Sequence, residues 1–184
     1  MPTVFLIRHG QATAAWNEDR DPGLDATGQA QAEQLAASLH AQLPAAVQLV
    51  TSPLRRAQET MAPLARQLGG EPMVESAVAE VPSPGLSLEQ RGPWLQRLLR
   101  SRWVEVDGVV RQWQAQAVET VAAYQGNVVV VTHAVLINAV VAACTGEEDV
   151  LVFRPDYCSV TVLEASESGM KVHSMGSDAR TRIL

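Results

Sequence analysis

The sequence predicts an α/β fold: a three-layer α/β/α sandwich in which helices cover both faces of a mostly parallel central sheet. Three observations predict it. Short apolar runs rich in Val, Ile and Leu, notably Val4-Phe5-Leu6-Ile7 and Val128-Val129-Val130-Val131, read as strands buried on both faces. These runs alternate with longer amphipathic stretches that read as helices. Gly and Pro clusters punctuate the alternation, with no internal repeat and no low-complexity linker.

The elements follow in order. Thr3 to Ile7 is a strand that stops at Arg8-His9-Gly10. Thr27 to Gln42 reads as a helix with Thr27 as its N-cap. Gln48 to Thr51 is a second strand, which turns through Ser52-Pro53 into a helix over Arg55 to Leu68, stopped by Gly69-Gly70. Met73 to Glu75 is a short strand. Val81-Pro82-Ser83-Pro84-Gly85 is the clearest break, and residues 81–106 read as a cap-like insertion over the site, with a helix over Pro93 to Arg100. Asp107 to Tyr124 is a helix whose Val110, Trp113, Ala117, Val121 and Tyr124 recur at helical spacing, which makes Trp113 a core residue. Asn127 to Thr132, Ser159 to Leu163 and Lys171 to Ser174 are strands, and Ala134 to Cys144 is an apolar helix. The 184 residues are expected to form one domain, 1–184, large enough for a substantial core.

Composition narrows the function. A hydrophobic content of 47% with 18% charged residues describes a globular chain. The net charge of −6 argues against a nucleic-acid-binding surface. No apolar run is long enough for a membrane span, and the N-terminus has no secretory pattern, so a cytoplasmic location is expected. Cys144 and Cys158 have neither metal-ligand spacing nor a disulfide framework, and His40 and His173 read as structural.

The chemistry gathers at strand ends, where ligands sit in open α/β sheets. Arg8 and His9 end the first strand, and His133 lies between the four-valine strand and the helix that follows it. Arg55 and Arg56 fall in the first turn of a helix, where cations oppose the helix dipole unless an anion is bound. Two histidines with two or three arginines in such places point to a phosphate.

These residues carry a resemblance. Leu6-Ile7-Arg8-His9-Gly10-Gln11, Leu24-Asp25-Ala26-Thr27-Gly28, Thr51-Ser52-Pro53-Leu54-Arg55-Arg56-Ala57-Gln58-Glu59-Thr60, Ala79-Glu80-Val81 and Val130-Val131-Thr132-His133-Ala134 follow one another as in the histidine phosphatase superfamily, and the chain resembles that phosphoglycerate-mutase-like family over nearly its whole length. The resemblance implies a phosphomonoester hydrolase acting through a phosphohistidine intermediate on a small phosphorylated metabolite. His9 would be the nucleophile, Glu80 the general acid, and Arg8, Arg55 and His133 the phosphate pocket. No metal or other cofactor is implied. Arg56 reads as a surface side chain.

The chain departs from the family where Val81-Pro82-Ser83-Pro84-Gly85 replaces a Gly-x-Trp-Glu-Gly segment, at Ala134, and at Trp16-Asn17, which stands two positions late. The family's phosphate-contacting asparagine is therefore not carried onto Asn17, and Gln11 or Thr13 are alternatives. Arg91 and Trp94 are candidates for selecting a second anionic or planar group, set against a solvated amphipathic hairpin. The chain is shorter than the glycolytic mutases, so hydrolysis is favoured over phosphomutase transfer. A protein-phosphohistidine phosphatase, a non-catalytic phospholigand-binding protein and a metal site of His9, His133 and Glu80 are the other readings. A homodimer is the one assembly entertained.

Overall fold

Side-chain alternation along the strands sets the layers. In the computed structural model, which describes residues 2–15, 18–166 and 169–179, strands β1 (Thr3–Arg8) and β4 (Val128–Thr132) pair in parallel, Val4 beside Val128 through Arg8 beside Thr132. Val4, Leu6, Val128 and Val130 face one way, with Val50 of β2 (Gln48–Thr51). They pack on Ala117 and Val121 of α4 (Gly108–Ala122) and on Leu136, Ile137 and Val140 of α5 (Ala134–Thr145). Ile7, Leu49, Val129 and Val131 face the other way, onto Leu35 and Leu39 of α1 (Ala26–Leu39) and Ala57, Met61 and Leu64 of α2 (Arg55–Leu68). Period-two alternation in wholly apolar strands thus feeds two cores, one on each face, and gives the three layers.

The six-stranded sheet runs β3-β2-β4-β1-β5-β6, with β3 (Met73–Val74), β2, β4 and β1 mutually parallel. β5 (Val160–Ser166) and β6 (Gly169–Ser174) add an antiparallel edge beside β1. Neighbours β1 and β4 lead into α1 and α5 respectively, which lie on opposite faces. Such a divergence opens a crevice beyond the strands' carboxyl ends, where β1 delivers His9 and β4 delivers His133.

Several boundaries differ from the sequence expectation, and those of α1 and α3 have a local cause. α1 is capped by Asp25, whose side chain accepts from Gly28 N at 2.7 Å, so Thr27 lies inside the helix; its last turn tightens to 3₁₀ over His40–Gln42. α3 (Leu88–Leu98) starts five residues before the expected Pro93, because Ser87 and Gln90 form a reciprocal capping box that sets the first turn upstream. Residues 81–106 carry their own apolar cluster: Val81, Leu95, Leu98, Trp103 and Val106 pack on Val110 of α4 and on Val135, Ala139 and Ala142 of α5. Among the described residues no helix is long and apolar enough to cross a membrane.

Candidate active site

His9 follows the last residue of β1, and its backbone is held on both sides. His9 N donates to Thr132 O at 3.0 Å, and Gly10 N donates to Thr60 Oγ1 at 3.0 Å. Gly10 touches the start of α1 so closely that a Cβ on it would lie 2.8 Å from Gly28 O, and one on Gly28 would lie 2.0 Å from Gln11 O. Two glycines are therefore required for α1 to press against the segment that carries His9.

The hydrogen bonds assign the imidazole protons. His9 Nδ1 lies 2.7 Å from Gly10 O, which can only accept, so Nδ1 carries the proton. His9 Nε2 is left with its lone pair, which accepts from Arg56 Nε at 3.1 Å. The same guanidinium reaches His133: Nη2 donates to His133 Nδ1 at 3.2 Å, so the His133 proton sits on Nε2, 2.7 Å from Ser52 Oγ. The two rings lie 5.2 Å apart with one guanidinium bridging them. Burial, and then the Arg56 and Arg8 charges, holds His9 well below the ordinary histidine value. Burial and Arg56 do the same to His133, so both rings are neutral.

The arginine of this pocket is Arg56, and the expectation for Arg55 and Arg56 is reversed. Arg55 has a side chain 66% exposed, paired with Glu59 Oε1 at 2.6 Å, and it does not border the cavity. Arg56 is 3% exposed. Helical phase is the reason: Arg56 lies one turn before buried Thr60, whereas Arg55 lies one turn before half-buried Glu59. Arg8 stacks on Tyr157, 4.0 Å from the ring centroid, and donates to Pro155 O at 2.9 Å. Arg8 Nε and Arg56 Nη1 are buried without a hydrogen-bond partner among the described residues, and Arg56 Nη1 is 4.0 Å from Asp21 Oδ1.

Glu80 sits beyond a 3₁₀ turn, Ser76–Val78, that is tied to two elements. Thr132 Oγ1 donates to Val78 O at 2.7 Å and Trp113 Nε1 to Ala79 O at 3.2 Å. One Glu80 oxygen accepts from Val81 N at 3.0 Å; the other lies 3.9 Å from His133 Nδ1. Burial raises the Glu80 carboxyl above its ordinary value, although Arg56 and Arg8 pull against it.

Arg8, His9, Arg56 and Glu80 share one cavity of about 300 Å³, with His133 behind Arg56. Gln11 and Thr13 border it too, although Gln11 Nε2 is committed to Asp25 Oδ2 at 2.8 Å. Asn17 and Trp16 lie outside the described residues. Arg91 and Trp94 do not border the cavity: Arg91 donates to Ser83 Oγ and Asp19 O, at 3.1 and 3.4 Å, and Trp94 lines a separate groove beside Pro82. His40 is exposed and His173 pairs with Glu164 at 3.2 Å, both away from the cavity. Among the described residues no group of three or more His, Cys, Asp or Glu is arranged to hold a metal ion, and Arg56 stands between the two histidines of the two-histidine, one-carboxylate reading. Beyond Arg56, sequence reasoning missed Ser52, Thr60 and Tyr157. Thr60 shares the helix phase of Arg56, while Ser52 and Tyr157 come into place only through tertiary packing.

Residues 4–178 match the family described as histidine phosphatase superfamily (branch 1). No curated protein sequence matches the chain. Its structure is similar to that of a mycobacterial glucosyl-3-phosphoglycerate phosphatase, with a TM-score of 0.74 and 21% identity over 97% of this chain and 100% of that one. A phosphoserine phosphatase from Entamoeba histolytica gives a TM-score of 0.74 and 19% identity over 96% and 98% of the two chains. The alpha-ribazole phosphatase of Shigella flexneri gives 0.74 and 18% over 95% and 96%.

Proposed function

Since this chain belongs to the histidine phosphatase superfamily, we propose that it is a phosphomonoester hydrolase in which His9 carries the phosphoryl group between ester and water. The observation that carries the reading is the Arg56 bridge. A buried guanidinium meets the unprotonated nitrogen of His9 and leaves Nη1, like Nε of Arg8, without a hydrogen-bond partner among the described residues. A bound phosphate supplies acceptors to both orphan donors, whose desolvation is otherwise uncompensated.

The reaction follows from those positions. The ester's phosphate draws the Arg56 guanidinium onto its oxygens and releases the His9 Nε2 lone pair. Nε2 attacks phosphorus in line with the leaving oxygen, while Gly10 O holds the Nδ1 proton and stabilises the developing positive charge. Arg8 and Arg56 neutralise the equatorial oxygens, where most of the catalytic stabilisation of phosphoryl transfer lies. Glu80, whose burial favours the protonated form, gives its proton to the departing alkoxide. The resulting carboxylate then takes a proton from the water that cleaves the phosphohistidine, and the starting state returns. His133 keeps Arg56 in place through Nδ1 and Ser52 through Nε2. No step calls for a metal ion.

The similar phosphatases are named for glucosyl-3-phosphoglycerate, phosphoserine and alpha-ribazole phosphate. We extend to this chain only what those have in common, a small phosphorylated metabolite. The test is hydrolysis of p-nitrophenyl phosphate in excess EDTA by wild type and by His9→Ala. Turnover by wild type with a loss of about a thousandfold or more in the variant supports the reading. Equal rates, or dependence on added metal, contradict it.

A further inference from the structure

Every cation that borders the cavity lies against the reacting histidine. Among the described lining residues these are Arg8 and Arg56, and a phosphoryl dianion bound as proposed above would occupy both. Much of the remaining wall is apolar: Ala12, Ala14, Ala15, Leu95 and Ala134. The charge farther along that wall is negative. Glu18 borders the cavity, with Oε2 held by Ala15 N at 3.0 Å. The neighbouring arginines stand outside the lining, although the Arg91 charge is felt at Glu80 and Arg56. Arg20 Nη2 donates to Leu86 O at 2.9 Å, Arg91 donates to Ser83 Oγ and Asp19 O, and neither borders the cavity.

A second anion on the substrate would lose its hydration against alanine and leucine, meet no further lining cation among the described residues, and stand near the Glu18 carboxylate. We propose that the alcohol part of the substrate is uncharged and largely apolar, and that Glu18 and the alanine-leucine wall reject phosphate esters bearing a carboxylate or a second phosphate. The inference rests on the phosphatase reading and names the substrate class of that same site.

The test compares phenyl phosphate with 4-carboxyphenyl phosphate, whose phenols are of nearly equal acidity, with p-nitrophenyl phosphate as the reference, on wild type and Glu18→Gln. Glu18 is exposed, and a thermal melt checks that the variant folds. The expected result is a kcat/KM for phenyl phosphate about tenfold or more above that for its carboxylated partner, narrowing a few-fold in Glu18→Gln. Equal use of the two esters, preference for the carboxylated one, or a ratio unmoved in Glu18→Gln overturns the inference while leaving the phosphatase reading standing. Absence of turnover with all three esters overturns the phosphatase reading, and the inference with it.

Discussion

Arg56 holds His9 and His133 with one guanidinium, and the site's behaviour follows from that. Arg56→Ala removes a buried donor from both rings and from the phosphate, and is expected to lower kcat/KM by roughly a hundredfold or more. Arg55→Ala breaks only an exposed ion pair with Glu59 and should stay within about threefold. Steady-state kinetics of the two variants side by side decides the assignment; the opposite ranking would return the pocket to Arg55. Glu80 makes its own prediction. Because burial raises its carboxyl, the protonated acid persists to higher pH, and kcat/KM falls as pH climbs through that raised value. The opposing limb, protonation of His9, lies well below the ordinary histidine value. Glu80→Gln should flatten the alkaline limb and slow poor leaving groups more than p-nitrophenolate. An unchanged profile would remove Glu80 from the acid role. Most of this cluster was legible in the sequence, since Arg8, His9, Glu80 and His133 are all at the cavity or directly behind it. The misplaced arginine was an error of helical phase, and the Thr60 spacing within the same motif contains the correction. Tyr157 was not legible, because only the packing of residues 155–158 beside the end of β1 brings it over Arg8.

Among the elements, α1 does more than cover the sheet. Its first turn, capped by Asp25, presses Gly28 against Gly10 and Gln11, and so fixes the backbone that holds the His9 ring through Gly10 O. Gly28→Ala would drive a methyl group into Gln11 O, and backbone there has nowhere to move without displacing Gly10. The expected outcome is a kcat reduced by about tenfold or more together with a lowered melting temperature. Full activity would show that α1 does not position the nucleophile. The elements themselves were readable because their signals are local: four valines for β4, Pro53 and Gly69 bracketing α2, an unbroken apolar run in β1. The start of α3 was misread because Pro93 is a strong local signal, and the Ser87–Gln90 capping box outweighs it.

For the whole molecule, placing His9 and His133 at the divergence of α1 and α5 buries both as neutral groups, and this has a cost in acid. Unfolded, each titrates near pH 6.5, whereas folded each stays neutral to lower pH. Stability is thus full above about pH 6.5 and declines as pH falls below it, where the unfolded chain takes up protons that the folded chain does not. Glu80, raised from 4.5, acts in the opposite sense over its own window, but it is one group against two. The urea midpoint at about pH 5.5 should be below that at about pH 7.5; a level or rising midpoint would mean that the rings are not held neutral. In the proposed reaction that neutrality is also what lets His9 attack phosphorus, and the covalent step is its centre. The most direct measurement is mass spectrometry of protein quenched in alkali during turnover of p-nitrophenyl phosphate. One acid-labile phosphoryl group is expected on the peptide bearing His9, absent from His9→Ala, which also fails to turn over. Sustained turnover by His9→Ala, or a phosphoryl group on another residue, would contradict the proposed reaction.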